Sequence, residues 1–311
     1  MTPEVSVIIP TYNRRAMLLE AIDSVLAQST PAFELIVIDD GSTDGTNETE
    51  HLARLAETIR IEIDRIDHRG PSAARNRGVA IARAPLIAFL DSDDLWSPTK
   101  LERQLAFMRD HPACAISQTN EIWIRNGRRV NPGQRHRKRA GDIFIDSLRT
   151  CLIATSSVMI RAELFRSSGG FDEHLTAAED YDLWLRILID HEAGLLDEPL
   201  VTRRGGHPDQ LSATTPALDR FRILALAKLL ADDRLSPARR TSVVEVLAEK
   251  CCIYARGLVR RGRIDQARLY EWVADQARGW DTRAAPEIGC AVESMRTMLS
   301  VEAPYALRNS P

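Results

Sequence analysis

Three carboxylates, Asp91, Asp93 and Asp94, follow directly on the apolar run Leu86-Ile87-Ala88-Phe89-Leu90 of this 311-residue chain. That run reads as a buried strand. Acids at the carboxyl end of such a strand are poorly placed for packing and well placed for a ligand, because open α/β sheets gather ligands there. In an Asp-x-Asp turn the two side chains converge on one hard cation, which takes oxygen ligands and bridges to phosphate. The competing reading is a strand-ending turn whose acids cap the next helix, opened by Pro98. A second acidic turn, Asp39-Asp40-Gly41-Ser42-Thr43-Asp44, closes the apolar stretch 33–38 in the same way.

The surrounding elements follow from periodicity. Val5-Ser6-Val7-Ile8-Ile9 reads as a strand covered on both faces and ended by Pro10, with Met17, Leu18, Ala21, Ile22, Val25 and Leu26 at helical spacing behind it. Residues 46–58 suit a second crossover helix, and Ile61, Ile63 and Ile66 a third strand. The loop His68-Arg69-Gly70-Pro71-Ser72 leads to a helix over 73–84, which Ser72 is expected to cap, with Arg75 and Asn76 in a first turn that favours an anion. A helix over 98–109 and strands near 113–117 and 156–160 continue the pattern. The alternation predicts a mostly parallel, doubly wound, Rossmann-like α/β sheet. Residues 125–141 carry Arg125, Arg128, Arg129, Arg135, Arg137, Lys138 and Arg139 with no acid, and the Gly, Pro and Asn content argues for a loop, solvated or facing an anionic acceptor or membrane surface. Glu179 and Asp180 open an amphipathic helix, where capping alone would explain an acid. Gly205-Gly206-His207 suggests a mobile loop bearing a functional side chain, and this loop and the basic one are expected to close over ligands. From Pro216 the pattern is helical only, at 217–231, 237–261, 264–278 and 286–300, which divides the chain into 1–215 and a C-terminal helical extension, 216–311.

Composition narrows the class. With 44% hydrophobic and 27% charged residues and a net charge of -3, nothing points to nucleic acid. No stretch reaches the length of a membrane span, and no leader is evident at the N-terminus. Five cysteines without metal-ligand spacing fit reduced thiols, buried in the core, in a cytoplasmic protein.

Val7-Ile8-Ile9-Pro10-Thr11-Tyr12-Asn13-Arg14, Ile38-Asp39-Asp40-Gly41-Ser42-Thr43-Asp44, Ala74-Arg75-Asn76-Arg77-Gly78, Leu90-Asp91-Ser92-Asp93-Asp94 and Glu179-Asp180 together resemble family 2 glycosyltransferases of the GT-A fold. The resemblance covers roughly the first two thirds of the chain and implies an inverting transfer from a nucleotide diphosphate sugar to an acceptor hydroxyl, with Mg²⁺ or Mn²⁺ as cofactor. It implies that Pro10, Tyr12 and Asp40 line the base pocket and that Arg75 contacts base and diphosphate. Asp91 would turn to the ribose, Asp93 would bind the metal, Asp180 would serve as catalytic base, and His207 would approach the metal or diphosphate. The acceptor stays open, with anionic and lipid-linked hydroxyl compounds both compatible, as is peripheral membrane contact. Two other readings remain: a sugar-1-phosphate nucleotidyltransferase, although no glycine-rich loop with a lysine follows the first strand, and a silent nucleotide-sugar-binding module.

Overall fold

A computed structural model describes residues 2–46, 61–207, 210, 215, 217–279 and 285–302. The expected helix at 46–58 and most of the loop after His207 lie outside the described residues. In chain order the elements are β1 (Val5–Thr11), α1 (Arg15–Leu26), β2 (Phe33–Asp39), β3 (Ile61–Arg65), α2 (Pro71–Ile81), β4 (Leu86–Phe89), β5 (Leu95–Trp96), α3 (Lys100–Asp110), β6 (Ile116–Arg125) and β7 (Arg128–Val130). They continue with α4 (Phe144–Ser147), β8 (Val158–Arg161), α5 (Ala162–Ser167), α6 (Glu179–Leu188), β9 (Ala193–Gly205), α7 (Asp219–Leu230), α8 (Pro237–Arg260), α9 (Ile264–Arg278) and α10 (Ala285–Glu302). The chain falls into two compact units. The first comprises Met1–Ile143, Leu152–Glu173 and His191–His207; the second comprises Phe144–Cys151, His174–Asp190 and Pro208–Pro311.

The first unit holds the sheet, ordered β3-β2-β1-β4-β8-β6-β9-β5 with β7 on β6. Strands β3, β2, β1 and β4 run parallel, as expected of a Rossmann-like half. Beyond β4 the sheet becomes mixed, with β8 antiparallel to both β4 and β6, and β9 parallel to β6. Alternation of side chains sorts the core. Val5, Val7, Ile9, Leu35, Val37, Leu86, Ala88 and Leu90 pack with Leu18, Ile22 and Val25 of α1 and Leu101, Leu105 and Met108 of α3. On the opposite face Phe89 meets the rings of Phe165 and Phe171, each at 5.5 Å between centroids. Both faces are therefore covered, and the fold is doubly wound α/β.

Several local expectations need correction. Pro10 does not end β1, which pairs with β2 through Thr11. Its missing N–H falls on the β4 side, where pairing stops at Ile8, so no ladder bond is lost. Ser72 does not cap α2. Gly70 holds the N-cap position at φ 91° and Pro71 takes the first helical position, where a missing N–H costs nothing. The basic stretch is not all loop: Asn126 (φ 48°) and Gly127 (φ 73°) turn β6 into β7, two left-handed residues of the kind a tight hairpin demands. Strand β9, thirteen residues long, escapes the hydrophobic pattern because Pro199 and four acidic or basic residues interrupt it; the ladder shifts register opposite Pro199.

Two buried positions carry stability predictions. Helix α2 comes so close to β1 that a Cβ on Gly78 would lie 2.5 Å from Cγ2 of Ile8. Overpacking of this kind costs about 1 to 3 kcal/mol, against a helix-propensity gain of at most about 1 kcal/mol. Gly78→Ala is thus expected to lower the midpoint of chemical denaturation; an unchanged midpoint would mean that α2 shifts freely. Lys100, at 0% exposure, sets its Nζ 3.8 Å from the centroid of the Trp96 ring and has no hydrogen-bond partner among the described residues. Burial, followed by the Lys138 charge, holds its pKa well below the usual lysine value. Below the depressed folded-state pKa the ammonium is charged in both states and the penalty is constant. Between that value and the unfolded-state value of about 10.4 only the unfolded chain keeps the proton, so stability climbs with pH in this window. Lys100→Met is expected to flatten that slope in thermal unfolding and to add about 1 to 3 kcal/mol at neutral pH, the cost of an unsatisfied buried donor. Unaltered melting at pH 7 would show the burial to be harmless.

The second unit is helical. The expected C-terminal helices are present as α7 to α10, with Ser236 capping α8 by accepting from the Arg239 N–H. They brace α6: Lys228 of α7 donates to Asp182 Oδ1 at 2.7 Å, and Arg239 of α8 donates to the carbonyl oxygens of Leu188 and Ile189. Of the five cysteines only Cys251 is buried, and Cys290 is exposed, so the expectation of core burial holds for one.

Candidate active site

Strands β2, β1 and β4 are neighbours and parallel, so their carboxyl ends deliver Asp39-Asp40, Thr11-Tyr12 and Leu90 to Asp94 to one edge of the sheet. Asp40, 3% exposed, is the hub of the first group. Its Oδ1 accepts from the Arg69 N–H and its Oδ2 from the Gly70 N–H, both at 2.8 Å, which fixes where α2 begins. His68 Nδ1 lies 2.8 Å from Asp40 Oδ2, and the imidazole stacks on Tyr12 with centroids 3.9 Å apart. Pro10 is buried within β1, directly before this pair. The loop leaving β1 is tied to the loop leaving β2: Asn13 Oδ1 accepts from the Thr43 N–H at 2.7 Å, Ser42 Oγ accepts from the Asn13 N–H at 2.9 Å, and Asp44 Oδ2 accepts from the Arg15 N–H at 3.0 Å.

Carboxylate oxygens of Asp91, Asp93 and Asp94 converge within 4.8 Å of one another. Helix α2 carries the buried Arg75, whose Nη2 donates to Asp91 Oδ1 at 2.7 Å while its guanidinium rests 5.2 Å from the Phe171 ring centroid. Arg14 Nη1 donates to Asp93 Oδ2 at 2.8 Å. Asp94 is spoken for: Ser156 Oγ donates to its Oδ2 at 2.6 Å and the Arg204 N–H to its Oδ1 at 2.9 Å. Ser156 is the clamp of the turn, since its Oγ also accepts from the Asp91 N–H and its carbonyl from Trp96 Nε1. Burial and then the Asp91 charge push the Asp93 pKa up, with Arg14 and His207 pulling against them. Burial and the two neighbouring acids push Asp94 well up.

The donor set fits a divalent cation. Burial and mutual repulsion keep the Asp93 and Asp94 pKa values raised even with Arg14 beside Asp93, and His207 has a buried Nε2 with no hydrogen-bond partner among the described residues. The converging carboxylate oxygens of Asp91, Asp93 and Asp94 are the oxygen donors that Mg²⁺ or Mn²⁺ accepts. Asp94, both of whose oxygens are bonded, pins the turn to β9.

The basic segment is better anchored than its composition suggests. Lys138 Nζ lies 2.6 Å from Glu121 Oε1 and donates to Ser157 Oγ at 2.6 Å, and Arg139 offers its carbonyl to Gln118. Burial would raise the Glu121 pKa, but the Lys138 and Arg203 charges outweigh it and hold the carboxyl low.

In the second unit, Asp180 occupies the first turn of α6 behind Ala178, a left-handed residue at φ 57°. Its Oδ1 accepts from the Tyr181 N–H at 2.7 Å and its Oδ2 from Cys151 Sγ at 3.7 Å. Tyr181 is fixed by donating its hydroxyl to the Leu148 carbonyl at 2.5 Å.

Comparison with known proteins decides the family, because the sequence profile of Glycosyl transferase family 2 matches residues 6–168. The chain belongs to glycosyl transferase family 2. An uncharacterized glycosyltransferase of Rickettsia felis is 38% identical over 197 residues, covering 63% of this chain and 32% of the relative; the chain therefore spans about a third of that protein's length. The putative teichuronic acid biosynthesis glycosyltransferase TuaG of Bacillus subtilis is 34% identical over 190 residues, covering 60% of this chain and 72% of TuaG. Among solved structures, residues 1–349 of S. aureus TarS in complex with UDP-GlcNAc align with a TM-score of 0.70 at 19% identity, over 98% of this chain and 92% of that one. Mannosyltransferase PcManGT of Pyrobaculum calidifontis in complex with GDP-Man and Mn²⁺ aligns with a TM-score of 0.61 at 19% identity, over 100% and 89%. These structures share the GT-A fold with this family 2 chain.

Proposed function

We propose that this family 2 chain is a metal-dependent inverting glycosyltransferase, moving a sugar from a nucleotide diphosphate sugar to an acceptor hydroxyl. The observation that carries the reading is the convergence of Asp91, Asp93 and Asp94 within 4.8 Å at the carboxyl ends of parallel strands. In this reading Pro10 and Tyr12 line the base pocket, with Asp40 accepting from the base edge. Arg75 reaches the diphosphate and Asp91 faces the ribose. Asp93 and His207 would hold Mg²⁺ or Mn²⁺, which when bound neutralises the diphosphate leaving group. Asp180 takes the acceptor hydroxyl proton while that oxygen attacks the anomeric carbon; the bond to the diphosphate breaks as the glycosidic bond forms on the opposite face, so one displacement inverts the centre.

Residues 1–215 would supply the transferase chemistry, with the helices of 216–311 bracing the helix that bears Asp180. The exposed Arg125, Arg128, Arg129, Arg135 and Arg137 favour an anionic acceptor, in a cytoplasmic setting. No described helix is long and apolar enough to cross a membrane. Calorimetric titration with UDP and with GDP tests the reading. At least one is expected to bind about tenfold or more tightly with Mn²⁺ than without, the scale of a charge-assisted contact. Equal affinity with and without metal would count against it.

A further inference from the structure

The acidic turn carries its own cations. Arg14 holds Asp93 Oδ2, Arg75 holds Asp91 Oδ1, and Arg204 donates its N–H to Asp94 Oδ1 and its Nε–H to the Asp93 carbonyl. Two of the three carboxylates, Asp91 and Asp93, thus pair with guanidinium groups, whereas Arg204 gives Asp94 a backbone N–H and pairs its own guanidinium with Glu20. The three arginines differ in where they stand. Arg75 is 5% exposed, lies within α2 and sits over Phe171. Arg204 extends β9 and also pairs with Glu20. Arg14 stands at the rim, its side chain 19% exposed, on the residue that precedes α1. The backbone around it is fixed, since its carbonyl accepts from the Leu18 N–H and its neighbours Asn13 and Arg15 are tied to the β2 loop. Rotation about its side-chain torsions would leave this main chain in place, and the oxygen it covers, Asp93 Oδ2, is one that a cation at Asp93 would need.

We propose that Arg14 is a resident counter-cation, covering Asp93 until a divalent metal and a nucleoside diphosphate arrive together, and then turning from Asp93 to the diphosphate. The inference rests on the reading of Asp93 as a metal ligand. Charge balance supports it. A dication added alone beside Asp91 and Asp93, already paired with Arg75 and Arg14, adds positive charge that nothing new offsets, whereas a dication accompanied by a diphosphate does not. Moving Arg14 from one anion to another keeps a charge-assisted bond at every stage. Metal and diphosphate should then tighten each other's binding by the same factor, and much of that coupling should pass through Arg14.

The test is Mn²⁺ binding to the full chain, read by the paramagnetic resonance signal of free Mn²⁺ at pH 7.5, with and without UDP or GDP. Arg14→Ala and Arg14→Gln are both expected to bind Mn²⁺ alone about tenfold more tightly than the unaltered protein, because a competing charge-assisted contact is gone. In both variants the tightening produced by the nucleotide should shrink by a similar factor. If both variants bind Mn²⁺ no better than the unaltered chain, while Asp93→Ala loses Mn²⁺ binding, the Arg14 inference is overturned and the metal site stands. If Asp93→Ala binds Mn²⁺ like the unaltered chain, the assignment of Asp93 fails and the Arg14 inference falls with it.

Discussion

Asp180→Asn is expected to bind nucleotide sugar as the unaltered protein does and to lose turnover by about 10²- to 10⁴-fold, the usual contribution of a positioned general base. Asp93→Ala should do the reverse damage first, abolishing metal-dependent donor binding and with it turnover. The contrast follows from what each carboxylate touches. Asp93 belongs to the crowded turn where burial and Asp91 raise its pKa and where His207 and Arg14 supply opposing charge. Asp180 stands on α6, in the helical unit, with its oxygens on the Tyr181 N–H and Cys151 Sγ. The Asn variant keeps the size of the side chain and still offers an oxygen to the Tyr181 N–H, so α6 should keep its start. Calorimetry beside single-turnover kinetics separates the two effects. Donor affinity falling as far in Asp180→Asn as in Asp93→Ala would remove Asp180 from the role of base.

Asp40→Ala is expected to weaken nucleotide-sugar binding by about 1.5 to 3 kcal/mol for the charge-assisted bond to the base alone. The geometry argues for a loss at the upper end. Both Asp40 oxygens already accept backbone N–H groups, from Arg69 and Gly70, and His68 is held against Tyr12 by the same carboxylate. Removing it frees the residues that lead into α2, and α2 carries Arg75 to Asp91. Metal affinity should change less, because Asp93 keeps its contacts with Arg14 and its charge interaction with His207. Asp40→Asn should also loosen the loop, because with each oxygen engaged by an N–H its amide nitrogen must face one of those donors. An unaltered nucleotide affinity in Asp40→Ala would place the base elsewhere.

The acidic turns and the first-turn place of Arg75 are legible in the sequence because each sits beside a strong local signal, a buried strand or a helix start, whereas Asp180 stands out through the family resemblance alone, since capping would equally explain an acid at its helix start. The residues that organise them are not. Ser156 lies 65 positions from Asp91, Arg14 lies 79 positions from Asp93, and Arg204 lies 110 positions from Asp94. Pairings over such distances leave no trace in periodicity, which records only which face a residue presents. His68 was visible only as part of a turn, and its stacking on Tyr12 depends on two strand ends becoming neighbours. The hairpin at Asn126-Gly127 did have a local signal, the Asn-Gly pair, but the surrounding arginines masked the alternation that would have flagged it. Lys138 shows the limit of reading charge runs as solvated: one lysine among exposed arginines is the one that Glu121 and Ser157 hold inside. The same limit applies to Lys100, which a helix start would ordinarily leave in water.

The central claim, transfer from a nucleotide diphosphate sugar by a metal-dependent site at Asp93, is tested most directly by product release. The protein is incubated with a panel of uridine and guanosine diphosphate sugars and hydroxyl acceptors, with Mn²⁺ or with chelator, alongside Asp93→Ala. The account predicts that at least one donor releases its nucleoside diphosphate in the presence of metal, that chelator stops the release, and that Asp93→Ala shows none. Pyrophosphate released from a nucleoside triphosphate and a sugar phosphate, with no nucleoside diphosphate from any donor, would contradict it.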